Sequence, residues 1–177
     1  MNAMSPRDMS RRARRNPDRH QIEVQWGLAR AVGFPDDASI RRWVCAVLEY
    51  VRSPAISICI RWMSVAEIAG LNSRYRDKEG GTNVLSFPCE GEIVNGRQLM
   101  GDLALCASVI QNEAAEQSKT LESHVAHMVI HGTLHLAGYD HVDVVDAKEM
   151  EAIEVELMAD FGFSDPYEGE EGVRIGT

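Results

Sequence analysis

The sequence lacks any apolar run of the roughly 18 to 20 residues that a membrane-spanning helix needs, because Arg, Glu or His interrupts the longest stretches within about ten positions. A membrane-spanning helix is therefore not expected. Closely spaced cysteines are also missing. Cys45, Cys59, Cys89 and Cys106 lie far apart with no C-x-x-C pair, which argues against a disulfide scaffold and against a cysteine zinc knuckle, and makes a reducing, cytoplasmic setting the expectation. Residues 1–19 have no apolar core and no small-residue cleavage site, so a secretory signal is not expected there. Positive charge is scarce overall, with 18 Lys and Arg against 27 Asp and Glu for a net charge of −9.

That charge is unevenly spread. Arg7, Arg11, Arg12, Arg14, Arg15 and Arg19 against Asp8 and Asp18 give +4 for residues 1–19, leaving −13 for the remainder. The head reads as a disordered basic extension that adds non-specific attraction for nucleic acid; Asp8 and Asp18 argue against an organelle presequence. With 45% hydrophobic and 25% charged residues, the 177-residue chain has the composition of a globular domain. The expected organisation is the extension at 1–19, one domain over 20–167 without internal repeats, and a flexible acidic tail at 168–177.

Ile22, Val24 and Trp26 alternate with polar residues, as in a half-buried strand, and Asp36 or Asp37 then caps a helix over 40–51 ended by Ser53-Pro54. Ile56 to Trp62 alternates again, and Ser64-Val65-Ala66-Glu67 has the form of a capping box opening a short helix toward Tyr75. Residues 74–83 read as an exposed loop leading into a strand at 84–87, which Pro88 limits to a sheet edge or end. Asn95-Gly96 supplies a hairpin turn, and the return strand over 99–105 should carry Leu99, Leu103 and Leu105 on one face and Asp102 on the other. Helices are expected over 107–117, over 120–137 with Gly138 as the stop, and over 142–161 with Gly162 as the stop. The fold class is α+β, a mixed four-stranded sheet packed with about five helices and a metal site at the end of a C-terminal helix.

Four of the six histidines fall between residues 124 and 135, and a fifth is His141. On a helix His131 and His135 project side by side from adjacent turns and can reach one ion. Gly138 can end the helix and let the chain fold back, bringing His141 over the same point. Three imidazoles with a fourth position open form a catalytic type of zinc site; Ni²⁺ and Cu²⁺ compete for such donors. His127, one turn before His131, is open as a competing ligand but is read as a supporting partner, and His124 as a solvated helix start. The spacing H-x-x-x-H-x-x-G-x-x-H is that of the metzincin proteases, but Gly132 stands where their general-base glutamate belongs, which argues against ordinary peptide hydrolysis.

With Leu71-Asn72, Tyr75-Arg76, Thr82-Asn83-Val84-Leu85-Ser86-Phe87-Pro88 and Gly101-Asp102-Leu103, this histidine motif resembles the YbeY family of bacterial metal-dependent endoribonucleases. The resemblance runs from about Gln21 to Tyr167. It implies one zinc per chain on His131, His135 and His141, a functional arginine at Arg76, cleavage of single-stranded RNA, and work on 16S rRNA 3′ ends and ribosome quality control. Single-stranded RNA, ribosomal RNA and the small ribosomal subunit are the implied partners, with neither DNA nor a membrane among them. Gly81 in place of a usual proline, the extra residues 1–19, and Cys89 depart from the family pattern without touching the ligands.

Arg76 suits its implied role because a guanidinium grips phosphate through two parallel hydrogen bonds and offsets charge growing on its oxygens. Asp140, beside the third ligand, is a candidate to orient an imidazole or accept a proton, with turn chemistry as the alternative. An acidic body must bind RNA through a local basic surface, for which Arg74 and Lys78, with Arg61 and Arg76, are the candidates. Two other functions compete with an RNase. One is a different zinc metallohydrolase with metzincin-like spacing. The other is a non-catalytic ribosome-assembly factor in which zinc only fixes the helix ends.

Overall fold

The computed structural model describes residues 19–30, 32–89, 91–140 and 144–168. In chain order they form β1 (Gln21–Trp26), α1 (Asp37–Tyr50), β2 (Ile56–Met63), α2 (Val65–Arg76), β3 (Val84–Pro88), β4 (Ile93–Val94), β5 (Arg97–Cys106), α3 (Ala107–Glu116), α4 (Leu121–Leu136) and α5 (Val144–Asp160). The sheet runs β1-β2-β5-β3, with β4 pairing only the start of β5. β1, β2 and β5 are mutually parallel, whereas β3 and β4 run antiparallel to β5. This is the mixed α+β architecture expected, with five helices among the described residues and a two-residue fifth strand too short to leave a periodic signal.

Local chemistry explains the helix starts. The Asp36 carboxylate accepts from the Ser39 amide at the head of α1, Ser64 and Glu67 form a reciprocal capping box on α2, and Thr120 caps α4. Asn95 and Gly96 both have positive φ, as the tight β4–β5 hairpin requires.

Each sheet face buries its own core. Ile58, Ile60, Trp62, Leu103 and Leu105 face α1, α4 and α5 in the larger core, while Leu85, Ala104 and Cys106 meet Ile68 of α2 in the smaller one. One expectation is corrected here. A bulge shifts the β2–β5 register so that Ser57 pairs with Leu99 and Ile58 with Gly101, the residue between them being extra. Leu99 therefore shares the face of Ser57 rather than that of Leu103 and Leu105, and Met100 packs on the large core in its place.

Candidate active site

α4 lies across one face of the sheet, over the end of β3, and its contact with the sheet is unusually close. A Cβ on Gly132 would stand 2.9 Å from Leu103 Cδ2 and 3.0 Å from Val84 Cγ2, so any side chain there would push the helix away. The glutamate that a metzincin carries at this position is thus excluded by packing as well as absent from the sequence. Gly138, with φ +94°, ends the helical turn as expected.

With α4 seated, His131 and His135 project toward a cleft of about 910 Å³ that runs along the outer edge of β3. The Nε2 atoms of the two rings lie 3.2 Å apart. His131 Nδ1 is 2.8 Å from Glu154 Oε1, and His135 Nδ1 is 3.0 Å from the Tyr139 carbonyl oxygen. Carboxylate and carbonyl only accept, so both rings donate through Nδ1 and turn their other nitrogen, Nε2, toward one another. Two imidazole nitrogens that converge in this way could hold a metal ion between them. Two nitrogens of a tetrahedral zinc at about 2.0–2.1 Å are separated by about 3.3 Å, close to the spacing found. His141, the expected third ligand, lies outside the described residues.

Glu154 is the residue that the sequence reading missed. It has no solvent exposure, and it accepts from His127 Nε2 at 3.0 Å, from His131 Nδ1 and from the Tyr167 hydroxyl. Burial alone would raise its carboxyl pKa, but the hydrogen bonds from His127 and His131 prevail and bring it down to about 2. Burial lowers the His127 pKa against the pull of the same hydrogen bond, so a neutral ring donates to a carboxylate. A signal existed: Met150, Ile153, Glu154, Leu157 and Met158 form the buried stripe of α5, and a lone acid in such a stripe marks a satisfied polar site. His127, His131 and Glu154 place ligand-type atoms within 4.8 Å of one another and so could themselves hold a metal.

His124 is not the solvated helix start expected. Its side chain is 3% exposed, and its Nε2 lies 2.9 Å from Glu113 of α3, whose two oxygens also accept from the Asn83 amide. The neighbouring helix covers the first turn of α4, a tertiary effect that spacing along one helix cannot reveal.

The opposite wall of the cleft comes from the other face of the sheet. α2 ends at Arg76, whose Nη2 donates to the Ser86 carbonyl at 2.8 Å, and the Ser86 hydroxyl donates to the Gly132 carbonyl at 3.1 Å. Arginine, edge strand and histidine helix are thus linked by two hydrogen bonds. Arg76, Lys78 and Asp140 line the cleft with the histidines, as does Glu79; Arg74 is exposed on α2 outside the lining, and Arg61 faces Glu67 at 4.0 Å. The expected cluster of four cations therefore resolves into two cations beside two carboxylates, so the charge surplus must come from elsewhere.

Among the described residues no helix is long and apolar enough to cross a membrane. A family model described as Endoribonuclease YbeY matches residues 33–162. Among solved structures, the solution structure of TM1509 from Thermotoga maritima is similar at 26% identity and a TM-score of 0.51, covering 79% of this chain and 88% of that one.

Proposed function

The chain belongs to the YbeY endoribonuclease family, the match spanning well over half of its length, and from that premise we propose that it is a zinc-dependent endoribonuclease specific for single strands. Its work is the maturation of 16S rRNA 3′ ends and ribosome quality control on the small subunit in the cytoplasm. The observation that carries the reading is the convergence of His131 Nε2 and His135 Nε2 at 3.2 Å, each ring fixed through Nδ1 by an acceptor. His131, His135 and His141 are the proposed ligands of one zinc per chain. A zinc ion held there would supply Lewis-acid polarisation of a phosphoryl group and of water.

The remaining work falls to the chain's own groups. Glu154 and the Tyr139 carbonyl hold the two rings in the ligand tautomer, and His127 and Tyr167 hold Glu154. Arg76, anchored by one guanidinium nitrogen on Ser86, keeps its other donors for the phosphoryl oxygens on which charge grows. Lys78, in the cleft lining, would hold a flanking phosphate, and the exposed Arg74 would meet RNA beyond the cleft. The charge deficit of the cleft favours this division, because the metal ion then supplies the surplus that Glu79 and Asp140 remove.

A second reading sets the metal between His127, His131 and Glu154, which lie within ligand distance of one another. It would require breaking hydrogen bonds that already satisfy a fully buried carboxylate, so the first reading is preferred.

The test is metal analysis of the purified protein together with cleavage of a defined RNA in single-stranded and duplex form, before and after chelation. About one zinc per chain is expected, with single-strand cleavage lost on chelation and restored by zinc. Undiminished cleavage in fully chelated protein would overturn the proposal.

A further inference from the structure

The outer edge of β3 is the floor of the cleft, and its backbone polar groups can be accounted for one by one. The Cys106 amide donates to the Asn83 carbonyl and the Cys89 amide to the Met100 carbonyl. The antiparallel β3–β5 register pairs Leu85 with Ala104 and Phe87 with Asp102. Alternation of the ladder therefore turns the odd-numbered residues of β3 toward β5, and the N–H and C=O groups of Val84 and Ser86 and the Pro88 carbonyl away from it.

An edge of this kind ordinarily invites another strand. Here both ends are closed. The Val84 amide donates to the Asn83 side chain at 2.7 Å, the Ser86 carbonyl accepts from Arg76, and Pro88 has no N–H. Between them the Val84 carbonyl and the Ser86 amide remain without a partner among the described residues. One acceptor and one donor, two residues apart on an extended backbone, are too few for the repeating ladder of an added peptide strand. They match a small planar group that carries a donor and an acceptor side by side, such as the Watson–Crick edge of a nucleobase.

We infer that the Val84 carbonyl and the Ser86 amide form a nucleobase subsite, in which the edge of one unpaired base pairs with the strand while its phosphate lies toward Arg76 and the histidines. The inference rests on the ribonuclease reading and gives it a recognition element. It also supplies a physical reason for single-strand specificity, since a base within a duplex has its Watson–Crick edge occupied. The polypeptide backbone makes this contact, so no side chain in the sequence announces it. Arg76 closes the strand edge at Ser86 and is thereby held beside the phosphate of the base that the edge reads.

The experiment uses the full-length, metal-loaded, ¹⁵N-labelled protein and the four common nucleoside monophosphates, none of which contains a phosphodiester. Ribose 5-phosphate is the control for phosphate binding. At least one nucleotide should move the Ser86 amide proton downfield with saturation, while ribose 5-phosphate leaves it in place. A base analogue with the pairing edge blocked by methylation should bind about tenfold more weakly, the order expected for one or two lost hydrogen bonds. Cleavage of single-stranded RNA is measured on the same sample. Cleavage with the Ser86 amide unmoved by every nucleotide would overturn the subsite and leave the enzyme reading intact. A shifted amide without any RNA cleavage would uphold the subsite and overturn the enzyme reading. An extended peptide that moves the Ser86 amide where nucleotides do not would replace the base by a protein strand and overturn the inference.

Discussion

Two pairs of histidines stand on α4, and their fates differ. His124 and His127 are 3% and 10% exposed, and each points Nε2 at a glutamate of another helix, Glu113 or Glu154. His131 and His135 sit one and two turns further along, half-buried, with Nε2 atoms that meet in the cleft. Residue type and spacing are nearly the same in both pairs. The difference lies in which ring nitrogen meets a carboxylate or carbonyl acceptor: Nε2 in the first pair and Nδ1 in the second. If the second pair holds the metal, a ligand is distinguished from a supporting histidine by what its far nitrogen touches.

The strongest way to break this comparison is to remove one member of the second pair. His135→Ala should reduce bound zinc from about one per chain to near zero and abolish RNA cleavage, both measured on the same folded sample. If His135→Ala keeps its metal and His127→Ala loses it, the metal lies with His127, His131 and Glu154, and His127 and His135 exchange roles.

Arg76→Ala comes next. With zinc content unchanged, single-turnover cleavage should fall on the order of 10²–10³-fold, as for the loss of one donor to a developing oxyanion. Arg76→Lys should recover only part, keeping the charge but losing the planar fork. Normal cleavage by Arg76→Ala would remove this side chain from the chemistry.

Glu154→Gln sharpens the comparison from below. It keeps the side-chain volume but weakens acceptance from His131 Nδ1, so zinc affinity in a competition titration should drop about 10–100-fold. Unchanged affinity would show that the His131 tautomer is held by something else.

The smallest effects belong to the first pair and to the head of the chain. His124→Ala should leave zinc and turnover as they are and lower urea stability by about 1–3 kcal/mol, because Glu113 loses a buried partner. Deleting residues 1–18, which spares the hydrogen bond from Arg19 to the Ser53 carbonyl, should preserve fold and metal and at most weaken RNA binding in a salt-dependent way. Insoluble protein would show that the head is part of the domain.

What could be read from the sequence followed local rules. The capping box at Ser64 and Glu67, the Asn95-Gly96 turn and the alternation of β1 and β2 depend on residues a few positions apart, and each appears in the structure. The i, i+4 histidine pair was legible for the same reason. Leu99 was assigned to the wrong face because a single extra residue in β5 reverses the period-two pattern, and only pairing with β2 reveals it. Glu154 lies 23 residues beyond His131, and His124 meets Glu113 of another helix; both contacts arise when helices pack, which no spacing along one helix encodes.

The bare backbone at Gly132 gives α4 no cushion where it rests on the sheet. The helix is seated like a plate on two studs, Leu103 and Val84, whose methyl groups would lie only 2.9 and 3.0 Å from a Cβ at this position. Exchanging one of these side chains for a bulkier one inserts a shim beneath the mounting of both cleft histidines, and a smaller one lets the mounting tip. The placement of the two cleft histidines is therefore adjustable from the sheet beneath the helix, without a change in either ring.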